Sequence, residues 1–289
     1  MKSKFKHLWA DGMMLLIALI WGSAFVVVKS TLESITPLYL MAIRFTISAL
    51  VMCIFFLKRI RTSPKGTILK GLGLGSILAI AYGVQSIGLV YTTAGNNAFL
   101  TAIYVVLVPF FGYLIFRRRP TGRNLLAAGV CLAGVGFLSL GEGFTMNIGD
   151  ALSLLCGVFC AVHIVLLGHY AKECDGMVIT AMQFVGTAAI FWLWAPLCET
   201  APQSISMDVV WSILYMSLIC TVLALSMQTI GQKYADPSRA SLLLSCEALF
   251  GTVLGIVLLG EPFTPRIGLG AGLIFCAVLI SELGGKKAE

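Results

Sequence analysis

A single carboxylate stands in one of the most apolar stretches of this chain. It is Glu247, in SLLLSCEALFGTVLGIVLLG (residues 241–260), about eight residues into a run long enough to cross a bilayer. Insertion scales put a charge at that depth at about 2.5–3.5 kcal/mol, so an intramembrane carboxyl faces protein or water and has a task. It can take up and release a proton, coupling protonation to conformation, or compensate a charge on a bound solute. A structural hydrogen bond or ion pair is the plainer alternative. Arg44 is the other formal charge set wholly inside an apolar run. By helical rise it sits about 5 Å to one side of the midplane and Glu247 slightly to the other, within an arginine's reach. Two readings stay open for it: a pair with Glu247, or bonds to backbone carbonyls with the side chain stretched toward the surface. His163, near the depth of Glu247, could relay protons or touch a solute. A satisfied packing histidine is the competing reading.

Uncharged polar residues add a second layer of candidates. Gln85 with Tyr82, Gln228 with Thr221, and Asn97 with Thr101 and Tyr104 recur at three-, four- or seven-residue spacing, each set on one helix face. Such stripes line water or a bound solute, or else bond between helices for about 0.6 kcal/mol apiece. Trp21 and Phe25 supply aromatic walls to the same space, with plain packing as the alternative. Gly251 and Gly255 follow Glu247 at helical spacing, a strip that implies close contact with another helix. The run GLGLG at Gly71 to Gly75 lacks the strand and lysine of a phosphate loop and reads as close helix packing. Nine cysteines lie mostly within apolar runs, and only Cys198 falls near a predicted outer face, so no disulfide framework is expected. Cys156 and Cys160 share a helix face without partner ligands and read as packing. No zinc motif, nucleophile elbow, Walker loop or paired carboxylates occur. The chain is therefore expected not to be an enzyme and to need no cofactor or metal.

The elements that must position these residues are membrane helices. Of 289 residues, 58% are hydrophobic and 11% charged, with a mean hydropathy of +0.95, far from the balance of a soluble domain. Apolar runs begin near Gly12, Pro37, Ile68, Asn96, Asn124, Asp150, Val178, Val209, Arg239 and Ile267. Each is about 17–23 residues long, the span of a helix across a hydrocarbon core. They are continuous and not alternating, which excludes a barrel. The first, Met13 to Val28, is longer than a signal-peptide core and reads as the first helix. The net charge of +7 does not call for nucleic acid. Lys2, Lys4, Lys6, Lys58, Arg59, Arg61, Lys65 and Lys70 fall on one side. So do Arg117, Arg118, Arg119, Arg123, Lys172, Lys233, Arg239, Lys286 and Lys287, which makes seventeen of the twenty basic residues. Lys29 and Arg266 fall on the other. The crowded side is the predicted cytoplasmic face, with both termini on it.

An internal repeat organises the ten runs. Shifted by 143 residues, Gln85 falls on Gln228, Gly88 on Gly231, Tyr91 on Tyr234, Leu100 on Leu243, Arg123 on Arg266 and Gly129 on Gly272. Nearer the N-terminus the offset changes slightly: MAIRF (41–45) lies on TAMQF (180–184), opposing Arg44 to Gln183. The expected fold is all-α, with ten transmembrane helices as two five-helix repeats, 1–143 and 144–289. Five is odd, so the second repeat enters the membrane in the opposite sense, as Arg123 and Arg266 on opposite faces require. Inverted repeats are the architecture of secondary transporters, which expose one central site alternately to either side.

Four stretches also carry a resemblance. WGSAFVVVK (21–29), IRF (43–45), GLVYTTAGNNAFLTAIY (88–104) and DPSRASLLLSCEALFGTVLGIVLLGEPFT (236–264) resemble the EamA branch of the drug/metabolite transporter superfamily, over essentially the whole chain. The resemblance implies a ten-helix protein of two EamA repeats, of a kind that includes exporters of amino acids, other metabolites or drugs. Two departures stand out. Ala248 follows Glu247 where the family commonly has proline, and helix four carries Pro109 four residues beyond the matching place, so any kink is expected to be displaced. The combined expectation is a secondary transporter exporting small amphipathic solutes such as amino acids, seated in the lipid bilayer, with protons as a coupling ion. Trp21, Phe25, Arg44, Tyr82, Gln85, Asn97, Tyr104, His163 and Gln228 are its candidate binding residues, and Glu247 its coupling residue. The rivals are a non-transporting sensor or partner subunit, and a carrier of drug-like cations or nucleosides.

Overall fold

The computed structural model describes residues 2–117, 119–139, 146–259 and 263–282, and these are helical nearly throughout. In chain order the helices are α1 (Lys2–Thr31), α2 (Pro37–Thr62), α3 (Lys65–Tyr91), α4 (Ala94–Thr101), α5 (Tyr104–Phe116), α6 (Gly122–Ser139), α7 (Ile148–Glu173), α8 (Gly176–Cys198) and α9 (Met207–Tyr215). A π-helical segment, Met216–Leu223, follows, and then α10 (Ala224–Gln232), α11 (Pro237–Leu244), α12 (Glu247–Leu259) and α13 (Pro265–Glu282). Local sequence explains most starts. Proline opens α2 and α11, where its missing N–H costs nothing. Side chains of Thr93, Asp175, Ser206 and Asp236 accept the first free N–H groups of α4, α8, α9 and α11. Asn147 and Asp150 form a reciprocal capping box on α7.

Among the described residues, seven helical rods are long and apolar enough to cross a membrane, which makes this an all-α, multi-pass membrane protein. They are Leu8–Thr31, Pro37–Thr62, Lys65–Tyr91, Ala94–Phe116, Ile148–Glu173, Gly176–Cys198 and Met207–Gln232. Gly122–Phe137 and Pro265–Ile280 are shorter apolar helices. Several runs that read as continuous are interrupted. The rod from Ala94 tightens at Ala102 and Ile103, where Val105 and Val106 bond three residues back, and restarts as α5. The rod from Pro237 does the same at Ser245 and Cys246. These interruptions are 143 residues apart, and no proline sits at either. At the second, the Ser245 hydroxyl donates to the Leu242 carbonyl at 2.7 Å, back-bonding that bends helices. The displaced-kink expectation is thus corrected: the bend lies immediately before Tyr104 and Glu247, and Pro109 stands inside α5.

Packing follows the small residues. α3 lies against both α7 and α8, α2 against α8, α6 against α13, and α1 against α10, α11 and α12. A Cβ at Gly22 would meet the Glu247 carbonyl at 2.7 Å and the Gly251 nitrogen at 2.8 Å, so α1 and α12 cross backbone to backbone. That is the contact expected of Gly251; the side of Gly255 lies outside the described residues. Gly71 and Gly75 abut Ile179, Met182 and Gln183 of α8, as the GLGLG run implied. Gly157 of α7 abuts the Leu100 and Thr101 carbonyls at the α4–α5 interruption.

Polar contacts separate the ends of the bundle. At one end Lys70 meets Glu173, Arg59 meets Asp175, and Arg239 meets Asp11. We call it the basic end. At the opposite end Glu199 accepts the free N–H groups of Leu38 and Tyr39 at 3.0 to 3.1 Å. There Lys29 donates to the last carbonyls of α3, at Leu89 and Thr92, where a cation suits the helix dipole. All nine cysteines are free, and Cys156 and Cys160 touch at 3.6 Å as packing residues.

Candidate functional site

Among the described residues the two largest hydrophobic clusters are one built on α1, α5, α6, α7, α11 and α13 and one on α2, α3 and α8. Trp21 packs against both. Between them lies a cavity whose empty space, with the solvent at its open mouth included, is about 850 Å³. Its walls include Ala24, Val28, Met41, Leu78, Leu89 and Ile164, with Ser86, Thr101 and Cys160 as further polar members.

All ten residues singled out from sequence line this one cavity. Trp21 and Phe25 come from α1, Arg44 from α2, and Tyr82 and Gln85 from α3. Asn97 comes from α4, Tyr104 from α5, His163 from α7, Gln228 from α10 and Glu247 from α12. The interrupted rods explain the placement of two of them. Tyr104 and Glu247 each begin the helix that follows a tightened turn, and their side chains meet: the Tyr104 hydroxyl donates to Glu247 Oε1 at 3.4 Å. They are separated by 143 residues, the repeat shift itself, and both are buried.

Arg44 and Glu247 make no ion pair, and neither of the two readings for the arginine holds. Its Nε donates to Thr221 Oγ1 at 2.7 Å. The guanidinium carbon lies 5.0 Å from the centre of the Tyr82 ring and 5.7 Å from that of Phe45, cation–π contacts that favour a desolvated arginine. No hydrogen bond ties either Nη among the described residues. Thr221, read as part of a cavity stripe with Gln228, is instead the buried partner of that arginine. His163 Nε2 is 3.0 Å from Gln183 Oε1, so the histidine is both satisfied and a wall of the cavity. Gln183 is the residue opposite Arg44 in the repeat.

Asn97 donates to the Gln85 carbonyl at 3.2 Å and to Ser153 Oγ at 2.8 Å. Gln85 donates to Thr101 at 3.4 Å. Asn97 Oδ1 and Gln228 Oε1 are buried with no donor among the described residues. Buried acceptors of that kind are costly unless water or a ligand serves them. The site therefore joins one cation with a free edge, one carboxyl and two idle acceptors to apolar and aromatic walls. Among the described residues no cluster of three metal-binding side chains occurs.

Sequence reasoning missed three features. The Trp21 indole donates to the Cys220 carbonyl at 2.9 Å, a backbone partner with no sequence signature. Asp11 accepts two bonds from Arg239, at 2.9 and 2.6 Å, joining α1 to α11 beneath the cavity. Asp150 accepts from Thr92 at 2.6 Å at the opposite end. The last two were findable: under the offset that lays Arg44 on Gln183, Asp11 lies on Asp150.

The sequence matches the EamA-like transporter family at residues 8–140 and 147–283. An uncharacterized transporter of Archaeoglobus fulgidus is 36% identical over 281 residues, covering 96% of this chain and 87% of that protein. A probable amino-acid metabolite efflux pump of Salmonella typhimurium is 27% identical over 296 residues, covering 95% of each. A solved crystal structure superposes with a TM-score of 0.79 at 19% identity, over 94% of this chain and 96% of that one, a likeness of fold.

Proposed function

We propose that this chain, which belongs to the EamA-like transporter family of the drug/metabolite transporter superfamily, is a secondary active exporter of small amphipathic metabolites such as amino acids, working by alternating access. The family is one of small-molecule transporters and not of enzymes. The amino-acid reading takes support from the Salmonella relative.

The observation that carries the mechanism is the contact of Tyr104 with Glu247. Two residues related by a repeat shift can touch only near the axis that relates the repeats. A carboxyl on that axis stays beside the solute whichever way the halves tilt. This supports ten transmembrane helices arranged as inverted halves, 1–143 and 144–289, around one central site. Glu247 couples proton uptake to solute release, or offsets solute charge. Arg44 receives the anionic group. Gln85, Asn97, Tyr104 and Gln228 bond the polar end, with Tyr82 and His163 beside them, and Trp21 and Phe25 cover the apolar part.

A cavity closed toward the basic end is supported by burial: Leu225, Gln228 and Leu244 of its wall are buried, and so are Met14, Ile17 and Ala18 of α1, which packs on α10 and α11. Trp21, Phe25, Tyr82 and Gln85 are partly exposed. With the basic end and both termini cytoplasmic, this is a state closed to the cytoplasm, and the Asp11–Arg239 pair fastens it. The test is flux of labelled amino acids into everted vesicles or proteoliposomes with an imposed proton gradient. The Glu247→Gln variant is expected to lose about 100-fold in gradient-driven flux and its dependence on pH. Unchanged rate and pH dependence in that variant would remove Glu247 from coupling.

A further inference from the structure

The rod that runs from Met207 to Gln232 is not a uniform helix, and its irregular part touches the cavity residues without lining the cavity. Over Met216–Leu223 the backbone widens to π geometry. Thr221 Oγ1 donates to the Met216 carbonyl five residues back, at 2.8 Å. A π turn leaves carbonyls turned aside from the helix ladder, and such turns concentrate at functional sites. Here two carbonyls of the segment accept from side chains of other helices. The Cys220 carbonyl accepts from the Trp21 indole at 2.9 Å, and the Ser217 carbonyl accepts from Ser48 Oγ at 3.0 Å. The Thr221 hydroxyl accepts from Arg44 Nε at 2.7 Å. Ser217, Cys220 and Thr221 are all fully buried. The counterpart 143 residues earlier, 73–80, lies within uninterrupted α3.

We propose that the π segment is the positioning element of the solute site and that Thr221 is its positioning residue, aiming Arg44 at a carboxylate. Holding Nε fixes the plane of the guanidinium against Tyr82. The edge formed by the two Nη groups is then left to the cavity, and that planar fork matches a carboxylate through two parallel bonds. The Cys220 carbonyl fixes the indole of Trp21 in the adjoining wall at the same time. The solute class that this geometry selects carries one carboxylate next to an apolar body. The inference rests on the cavity being the solute site, and it assigns the end of the solute that is read and the backbone irregularity that does the aiming.

The test uses the full chain in proteoliposomes with Thr221→Val, which keeps the shape and removes the hydroxyl, and Thr221→Ser, which keeps the hydroxyl. Three probes separate the ends of the solute: L-leucine, isocaproate, which keeps only the carboxylate, and isoamylamine, which keeps only the amine. Thr221→Val is expected to raise the half-saturation concentration for leucine and isocaproate about tenfold, with maximal rate within about twofold and isoamylamine unaffected, whereas Thr221→Ser restores wild-type values. A second measurement needs no solute. Phenylglyoxal modification of Arg44, followed by peptide mass spectrometry, should be several-fold faster in Thr221→Val than in wild type or Thr221→Ser. Equal Arg44 modification in all three proteins overturns the positioning role whatever the chain carries. Equal losses for leucine, isocaproate and isoamylamine overturn the carboxylate assignment. Hydroxyl-dependent Arg44 reactivity without flux of any probe leaves the aiming role standing and refutes export of this solute class.

Discussion

The two rods that carry Gln85 and Gln228 descend from one repeated pattern yet differ in kind. α3 runs unbroken from Lys65 to Tyr91, its small residues seated against α8. Its counterpart passes through α9, eight residues of π helix and α10. The same division appears where the repeats meet: one half brings a phenol, Tyr104, and the other a carboxylate, Glu247. The interruption before each of these two residues is shared, and the chemistry it positions is not. Under the proposed mechanism, that inequality places the carboxyl in the second half and the arginine, Arg44, in the first.

Packing at the interruptions offers the largest test of that comparison. α1 meets the α11–α12 interruption through Gly22, and α7 meets the α4–α5 interruption through Gly157. A Cβ at Gly22 would press on two backbone atoms, the Glu247 carbonyl and the Gly251 nitrogen, whereas one at Gly157 would press on one, the Thr101 carbonyl at 2.8 Å, and on the Ile103 Cγ2 methyl at 2.6 Å. Gly22→Ala is therefore expected to destabilise by about 2–3 kcal/mol and Gly157→Ala by about 1–2 kcal/mol. Gly12→Ala, with nothing within 4 Å of the added carbon, should be neutral or gain up to about 1 kcal/mol from helix propensity. Thermal unfolding in detergent gives the order, and a larger loss at Gly157 would reverse the comparison.

The two ends of the bundle give the next effect. Asp11 holds α11 through two charge-assisted bonds, and Asp150 holds the end of α3 through one hydroxyl. Asp11→Asn should raise labelling of Cys160, in the cavity wall, by a membrane-impermeant thiol reagent from the basic face about tenfold. Asp150→Asn should raise labelling from the opposite face about threefold, since one bond from a hydroxyl is lost there and two bonds between opposite charges are weakened at Asp11. Equal changes from both faces would mean that the two ends are held alike. The smallest effect belongs to the contact on the axis. The Tyr104–Glu247 bond is long at 3.4 Å, so Tyr104→Phe should slow flux only about twofold, a loss of about 0.5 kcal/mol. A loss as large as that of Glu247→Gln would make the phenol an equal partner in coupling.

Much of the site was legible because the bilayer makes polar residues expensive. Arg44, His163, Gln85, Asn97, Gln228 and Glu247 stand out against apolar neighbours, and the structure brings all of them to one cavity. Their partners were not legible. The Arg44–Glu247 pair was reasonable from depth alone, but side-chain reach does not encode direction, and the π turn offered Thr221 closer to hand. The bends before Tyr104 and Glu247 also escaped, since the cue sought was proline and the cause at the second is a serine hydroxyl on its own helix.

Composition and periodicity by themselves determined that this chain is a bundle of membrane helices, and the 143-residue repeat determined which residues correspond. Those properties are linear: apolar length sets a span, and residue spacing sets a helix face. Tertiary structure alone decided that corresponding residues touch and that Thr221 serves an arginine 177 positions away. Each of those depends on how helices tilt and widen when they pack, and backbone geometry of that kind is fixed by contacts between distant segments.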